Sequence, residues 1–358
     1  MHDAIILGAG VIGLSLARRL QLAGLKVLII EKHEPAAEAT HAAGGMIASC
    51  DPHIPACLKP LIAASADMYP EFVREIELES DQATDLRDAG TIAWFQHDEH
   101  PGCAPARRLS VDALKRIEPL LPSREGVWFL PERSVDPREL GRALTKAAKR
   151  AGVDFVTGSP ALEILTTNNR SAGVRTLHAS YSAGIVVNCA GAWSGQIAPG
   201  VIPTRPVKGQ MVCLVPASDD PHRGPLIQHV VRTPDVYIIP RSDGRILLGA
   251  TVEEAGFDKR VDPAVIRKLH QAGIAALPAL ASMRIHDAWA GLRPGSPDNL
   301  PILGETSLSG YFAATGHFRD GILLAPITAR LMTQLICART PDFDLQPFSP
   351  LRFGSDKS

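Results

Sequence analysis

The residues of this chain whose types and spacing could do chemistry lie near its two ends. Gly8-Ala9-Gly10-Val11-Ile12-Gly13 follows the apolar run Ala4–Leu7 and leads into a helix pattern that closes at Gly24. In such a turn Gly8 permits the tight reversal, Gly10 lets the backbone approach a pyrophosphate, and Gly13 lets helix and strand pack closely. The helix start, with Val11 and Ile12, offers amide donors and the positive end of a dipole to phosphate. A second strand at 26–30 ends at Glu31, 23 positions after the first glycine, near the ~20 expected of an acid that binds ribose hydroxyls. Lys32 follows directly. The acid disfavours a 2′-phosphate, so a bound adenine dinucleotide other than NADP is expected. At the other end, residues 290–304 read AGLRPGSPDNLPILG and 314–326 read ATGHFRDGILLAP. They bring cationic side chains and a second glycine-led helix start to one region.

Residues 38–46, EATHAAGGM, choose between the dinucleotides. A chain that runs along the cofactor toward a flavin needs small residues for close backbone approach, and Thr40, His41, Ala42, Ala43, Gly45 and Met46 supply that stretch. Residues 185–194, IVVNCAGAWS, form an apolar strand that breaks at Ala190-Gly191 with Trp193 just beyond, which suits a strand end passing the cofactor. Together with the first turn these features point to FAD rather than NAD.

Composition limits the other options. The 358 residues exceed the usual size of one core, so two domains are expected. A formal net charge of −1 gives no electrostatic reason to expect nucleic acid or an anionic membrane surface as partner. The apolar start contains a glycine fingerprint and no basic region before it, so it reads as a buried strand and helix rather than a leader. The best candidate for a membrane span, residues 322–338, contains Pro326 and Arg330. The six cysteines have no metal-type spacing, so no metal is expected, and they are read as reduced and mostly buried in a cytoplasmic protein.

These elements predict an α/β protein. It has a Rossmann-like FAD-binding domain, discontinuous in sequence (1–84, 135–205 and 290–345), and a substrate domain (85–134 and 206–289) built on a mostly antiparallel sheet with helices. Residues 346–358 are expected to be a peripheral tail. Short strands are expected at 90–95, 154–157, 161–165, 174–180 and 285–289, helices at 111–118 and Pro263–Ala276, and alternating strands from 207 to 249. Asp136-Pro137-Arg138-Glu139 reads as a helix start, with an Asp cap, Pro at the first position and Glu three residues after the cap.

With those residues in view, the chain resembles the FAD-dependent glycine/D-amino-acid oxidase family, most closely the glycine oxidases of the thiazole-biosynthesis type. The resemblance runs over nearly the whole chain and is densest at 206–210, 236–251 and 289–328. It implies that Arg293 holds the substrate carboxylate in a bidentate pair, which a planar fork does well. It also implies that Tyr237 supports the same carboxylate and that Arg319 lies close to the flavin ring, where an ion pair with Asp320 or another acid is the competing reading. Gly316, His317, Arg319, Asp320, Gly321 and Ile322 open the last long helix, whose N-terminal dipole would face the edge of the ring that becomes anionic on reduction. The activity implied is oxidative deamination of glycine or a small D- or N-methyl amino acid by hydride transfer to flavin N5, giving a 2-oxo acid, ammonia or amine, and hydrogen peroxide. The partners implied are a small amino-acid substrate and oxygen, with a homo-oligomeric assembly. A dehydrogenase using another electron acceptor and a non-catalytic flavin-binding scaffold are the alternatives.

Two positions depart from the family pattern. Val252 stands where a methionine encloses the pocket, so Ala48 and Val252 are expected to bound a wider space, and Asp235 replaces a more neutral or imidazole position. His41 lies in the HAAG context that carries a covalent flavin in some related dehydrogenases.

Overall fold

The computed structural model describes residues 2–95, 99–200, 202–217 and 225–354. Its first sheet has six strands in the order Ile302–Glu305, Tyr311–Thr315, Ile185–Asn188, Ala4–Leu7, Val27–Ile30, Asp154–Val156. All neighbours are parallel except the outermost pair, Ile302–Glu305 with Tyr311–Thr315. Side chains alternate along each strand, so Ile6, Ile29, Val187 and Phe312 meet the helices while Ile5, Leu7, Leu28, Ile30 and Val186 face the other way. The helical layer comprises α1 (Val11–Leu22), the long α3 (Lys59–Ser80), α5 (Pro137–Arg150) and α7 (Gly321–Ile336), and the short α2 (Ala39–Ala42) lies between α1 and α3 in sequence. The opposite face packs on a three-stranded antiparallel sheet formed by Ala161–Thr167, Arg170–Thr176 and Ser180–Ser182. Three layers thus enclose the cofactor-domain core.

The second sheet has eight strands. From one edge they are Met283–Gly295, Arg205–Pro216, Ile246–Gly249, Tyr237–Pro240, Val230–Arg232, Thr91–Ala93, Trp128–Leu130 and Arg107–Arg108. The pairing is antiparallel except between Val230–Arg232 and Thr91–Ala93. One face carries Val212, Leu214, Ile238 and Leu248 against α6 (Pro263–Ala276), and α4 (Val111–Ile117) adds Leu114 to the same core. The other face, with Met211, Ile239 and Tyr237, belongs to the functional cavity.

Local signals account for several boundaries. The Asp136 carboxylate accepts from the amides of Arg138 and Glu139, so α5 begins where its cap and Pro137 require. Ser110 caps α4 and Asp262 caps α6 in the same way. Other expectations change. Residues 174–180 do not form one strand: Arg170–Thr176 ends, the chain turns, and Ser180–Ser182 returns antiparallel. The strand expected at 285–289 is the middle of Met283–Gly295, which carries residues 290–295 into the larger sheet. Helix α3 was not expected at all. It places Leu61, Ile62, Tyr69, Val73 and Ile76 on one buried side and leaves Pro70 exposed, where no buried donor is missed. Residues 346–354 are not peripheral either. Phe348 is fully buried in the main core, and Arg352 pairs with Asp298.

Candidate active site

A cavity of about 490 Å³ runs between the two sheets. At one end is the glycine turn. Gly8 is left-handed (φ 99°), and a Cβ there would lie 2.7 Å from the Cys189 carbonyl; one at Gly13 would lie 2.0 Å from the Gly8 carbonyl. These two glycines and Ala190 therefore pack the turn against the end of strand Ile185–Asn188, leaving Gly10, Val11 and Ile12 to line the cavity. The Val11 amide donates to Thr40 Oγ1 at 2.9 Å, tying α2 to the first turn of α1. Glu31 is buried behind the turn. One of its carboxylate oxygens accepts from the Ala9 amide at 2.7 Å and the other from the His33 amide at 2.9 Å. Its geometry fixes the second-strand loop beneath the glycine turn.

The cavity then follows Thr40, Ala42, Ala43, Gly45, Met46 and Ala48. Small residues are required here. A Cβ on Gly45 would strike the Val135 carbonyl at 2.0 Å, and one on Gly291 would strike Ala42 Cβ at 2.3 Å. The indole of Trp289 donates to the Ala42 carbonyl at 3.1 Å, so the larger sheet is bonded directly to this stretch.

The cationic end is built by strand register. Arg293 and Tyr237 rise from strands of the larger sheet, and both line the cavity with Arg319. Arg293 Nη1 donates to the Thr251 carbonyl at 2.9 Å and to the Lys208 carbonyl at 3.3 Å, and among the described residues it has no carboxylate partner. Burial, with the like charge of Arg319 nearby, draws its pKa down to about 10, so it is cationic at neutral pH. Arg319 Nη2 donates to the Tyr237 hydroxyl at 2.5 Å. Among the described residues Arg319 has this contact with Tyr237 and no ion pair with Asp320. The segment before α7 turns at Gly316 (φ 73°), and His317, Asp320, Gly321 and Ile322 reach the cavity wall. The carbonyls of Ile322 and Leu323 accept from Tyr69 Oη (2.8 Å) and Ser65 Oγ (2.6 Å) of α3, which hold this helix start in place. Burial depresses the His317 imidazole to about 3, and its Nε2 lies 3.0 Å from Thr328 Oγ1. Burial raises the Asp320 carboxyl to about 6, with Asp51 adding to the rise and Arg319 opposing it.

A family model described as DAO, FAD dependent oxidoreductase, matches residues 3–335. The chain belongs to this family of FAD-dependent oxidoreductases. Among curated relatives, the glycine oxidase of Pseudomonas aeruginosa is 32% identical over 370 residues, covering 97% of this chain and 98% of that protein. The bifunctional protein ThiO/ThiG of Trichormus variabilis is 35% identical over 369 residues, 100% of this chain and 56% of that one. The chain thus spans about half the length of the bifunctional relatives it matches. The hydrogen cyanide synthase subunit HcnC of P. aeruginosa is 31% identical, covering 98% and 96%. Among solved structures, glycine oxidase from Geobacillus kaustophilus superposes with a TM-score of 0.89 at 29% identity, over 98% of both chains.

The residues present fit the FAD that this oxidoreductase family uses. The cavity is continuous from the first turn of α1 to the start of α7, and its floor is glycine and alanine where a larger side chain would collide. Several expected contacts fall elsewhere. Val252 is 57% exposed and does not border the cavity. Thr251 and Glu253 turn inward to bond the main-chain amide and side-chain amide of Gln210, so alternation points Val252 outward. Asp235 is an exposed turn residue whose amide donates to Thr233 Oγ1. His41 is exposed at the end of α2, away from the cavity lining. Lys32 and Trp193 pack on each other, Nζ 3.0 Å from the ring centroid, outside the cavity. Several lining residues have no counterpart in the expectations from sequence, among them Asp51, His53, Ile54, Leu58 and Arg232. The cysteine expectation also changes, because Cys50 and Cys103 form a disulfide and Cys57 is exposed.

Proposed function

We propose that this chain oxidatively deaminates glycine or a small D- or N-methyl amino acid, with oxygen as the electron acceptor. The observation that carries this reading is Arg293, a cationic fork at the cavity wall whose only partners among the described residues are two main-chain carbonyls. A substrate carboxylate completes its valence as a bidentate pair, which fixes two atoms of a small molecule at once. The Tyr237 hydroxyl, already accepting from Arg319, keeps its own proton to donate to the same carboxylate. Arg293 and Arg319 lower the pKa of an amine held beside them and so favour its neutral form, which can release an electron pair. Met46, Met211 and Ile239 form the apolar side of this end and suit a substrate with little side chain. Gly10, Val11 and Ile12 would hold the pyrophosphate of FAD, and the start of α7 would meet its ring. FAD, when bound, supplies the acceptor for the hydride that leaves the substrate α-carbon and passes the electrons to oxygen as hydrogen peroxide. The resulting imine hydrolyses to a 2-oxo acid with ammonia or an amine.

The test is anaerobic. Glycine, N-methylglycine, D-alanine and D-proline are mixed with the holoenzyme under argon, and bleaching of the flavin spectrum is followed. Peroxide on admission of air is the expected outcome. Bleaching without peroxide would transfer the electrons to another acceptor, and no bleaching with any amino acid would remove the oxidase reading.

A further inference from the structure

Arg241 is a fully buried cation that reaches the cofactor cavity only through another residue. It follows strand Tyr237–Pro240, and alternation sets its side chain on the face of Tyr237 and Ile239, behind the cavity lining rather than in it. Its Nη2 donates to the Gly44 carbonyl at 2.7 Å, the one hydrogen bond its side chain makes among the described residues. Its Nε and Nη1 are buried without a partner there. Asp136 balances the charge from 3.7 Å but is committed elsewhere. Its Oδ1 accepts from the amides of Arg138 and Glu139, and its Oδ2 accepts from Arg245 Nη2 at 2.9 Å. A guanidinium stays protonated, so a full positive charge is held against one peptide group.

That peptide joins Gly44 to Gly45, two residues of the cavity lining. Gly44 lies close on the larger sheet, where a Cβ would stand 2.7 Å from Ile239 Cδ1. Gly45 is buried and left-handed (φ 76°). The bond between them is trans, so the Gly45 N–H points opposite to the Gly44 carbonyl, away from Arg241. No atom among the described residues accepts from it. A buried main-chain donor without a protein acceptor is rare, and on a cavity wall it is met by whatever fills the cavity. A carbonyl that accepts from a cation also polarises the amide of its own peptide, which makes this N–H a stronger donor.

We infer that Arg241 is a positioning residue for the flavin: through the Gly44–Gly45 peptide it aims and strengthens a hydrogen bond from the Gly45 amide to the ring of bound FAD. Reduction adds negative charge to that ring, so a stronger donor with a cation behind it favours the reduced form. Arg241 thereby raises the electron affinity of the cofactor while touching neither flavin nor substrate.

The test uses no amino acid, so its outcome is independent of the substrate and the electron acceptor proposed above. Holoenzyme of wild type, Arg241→Lys and Arg241→Met is titrated with sulfite, which adds to electron-poor flavins, and the flavin midpoint potential is measured against a reference dye. Arg241→Met should weaken sulfite binding by about 10-fold, the order expected when one charge behind a hydrogen bond is removed. Its potential should fall by about 30 mV for each tenfold, the two-electron conversion. Arg241→Lys, which keeps the charge, should lie nearer to wild type. Arg241→Gln, a neutral donor, replaces Arg241→Met if that variant does not fold. A lower thermal midpoint or weaker FAD retention with sulfite affinity and potential unchanged would make Arg241 structural and overturn the inference. The amide can also be read directly. Gly44-Gly45 is the one Gly-Gly pair of the sequence, so glycine labelled with 13C at the carbonyl and with 15N marks the Gly45 amide alone. Its proton resonance should move downfield when FAD binds to wild-type apoprotein, and less so in the neutral variant. An amide that FAD does not shift also overturns the inference.

Discussion

Gly209 lies directly against the guanidinium of Arg293: a Cβ at Gly209 would stand 2.4 Å from both of its terminal nitrogens. The two residues sit on neighbouring strands, with Gly209 opposite Gly291 and Arg293 opposite Val207, so the fork lies flat across a strand that has no side chain there. Alanine suits a strand better than glycine by about 0.5–1 kcal/mol, and the colliding atoms are the end of a flexible side chain. Gly209→Ala should therefore keep its thermal midpoint and flavin while kcat/KM falls by up to about 100-fold, the cost of a displaced orienting group. A large loss of midpoint would instead make the glycine structural.

Arg293 itself should divide substrates by whether they carry a carboxylate. Arg293→Ala is expected to cost about 2–4 kcal/mol in kcat/KM for an amino acid, and Arg293→Lys to recover only part, since a point charge cannot reproduce the fork. The decarboxylated amine should be a poor substrate for both. Stopped-flow flavin reduction with the two compounds reads the difference directly. Equal losses for both would show that Arg293 does not hold the carboxylate.

Glu31 accepts main-chain hydrogen bonds on both of its carboxylate oxygens from a buried position. Glu31→Ala leaves the amides of Ala9 and His33 without those acceptors, at about 1–3 kcal/mol for each that water cannot reach. Stability and flavin retention on gel filtration should fall together, because the turn they hold lines the cofactor cavity. Retention of flavin by a destabilised variant would confine Glu31 to scaffolding.

His317 gives the pH dependence. Its folded pKa of about 3 lies below the ordinary value near 6.5, so the native state prefers the neutral ring. The associated stability is fully present above about pH 6.5 and is lost progressively as pH falls toward 3, by roughly 4–5 kcal/mol over the full range. His317→Gln should flatten that part of the curve. Urea midpoints of wild type and variant at pH 7, 6, 5 and 4 check it, and parallel curves would refute the assignment.

The Cys50–Cys103 bridge closes a span of 53 residues beside Ala48 and Asp51 of the cavity wall. Four of the six cysteines should react with a thiol reagent in the denatured, unreduced protein. Reduction should lower stability by about 2–4 kcal/mol. Six reactive thiols without reductant would show that the bond does not form.

What could be read from the sequence followed from local rules. The glycine turn, the cap at Asp136 and the strand periodicity all depend on neighbours within a few positions, and they led to the observed elements. Helix α3 escaped because Pro60 and Pro70 interrupt a pattern whose apolar side is clear only once α7 covers it. The inward turn of Thr251 and Glu253, which exposes Val252, depends on Gln210 some forty residues away. Arg232 drew no notice because nothing near it in sequence reveals a place on the cavity wall; only the sheet brings it beside Tyr237. The disulfide likewise joins residues whose proximity is a product of the fold.

The strand that opens the chain, Ala4–Leu7, has Val27–Ile30 on one side and Ile185–Asn188 on the other, with Tyr311–Thr315 next beyond. During synthesis the glycine turn therefore leaves the ribosome long before its supporting strands, and α7 emerges later still, with Phe348 closing the same core after it. A nascent chain has the phosphate seat before the ring seat, so firm uptake of FAD must await synthesis of α7 and of Phe348. Truncations that remove α7 or Phe348 should then disturb cofactor loading more than changes at many internal loops, although the fingerprint that begins the cofactor site lies some three hundred residues earlier.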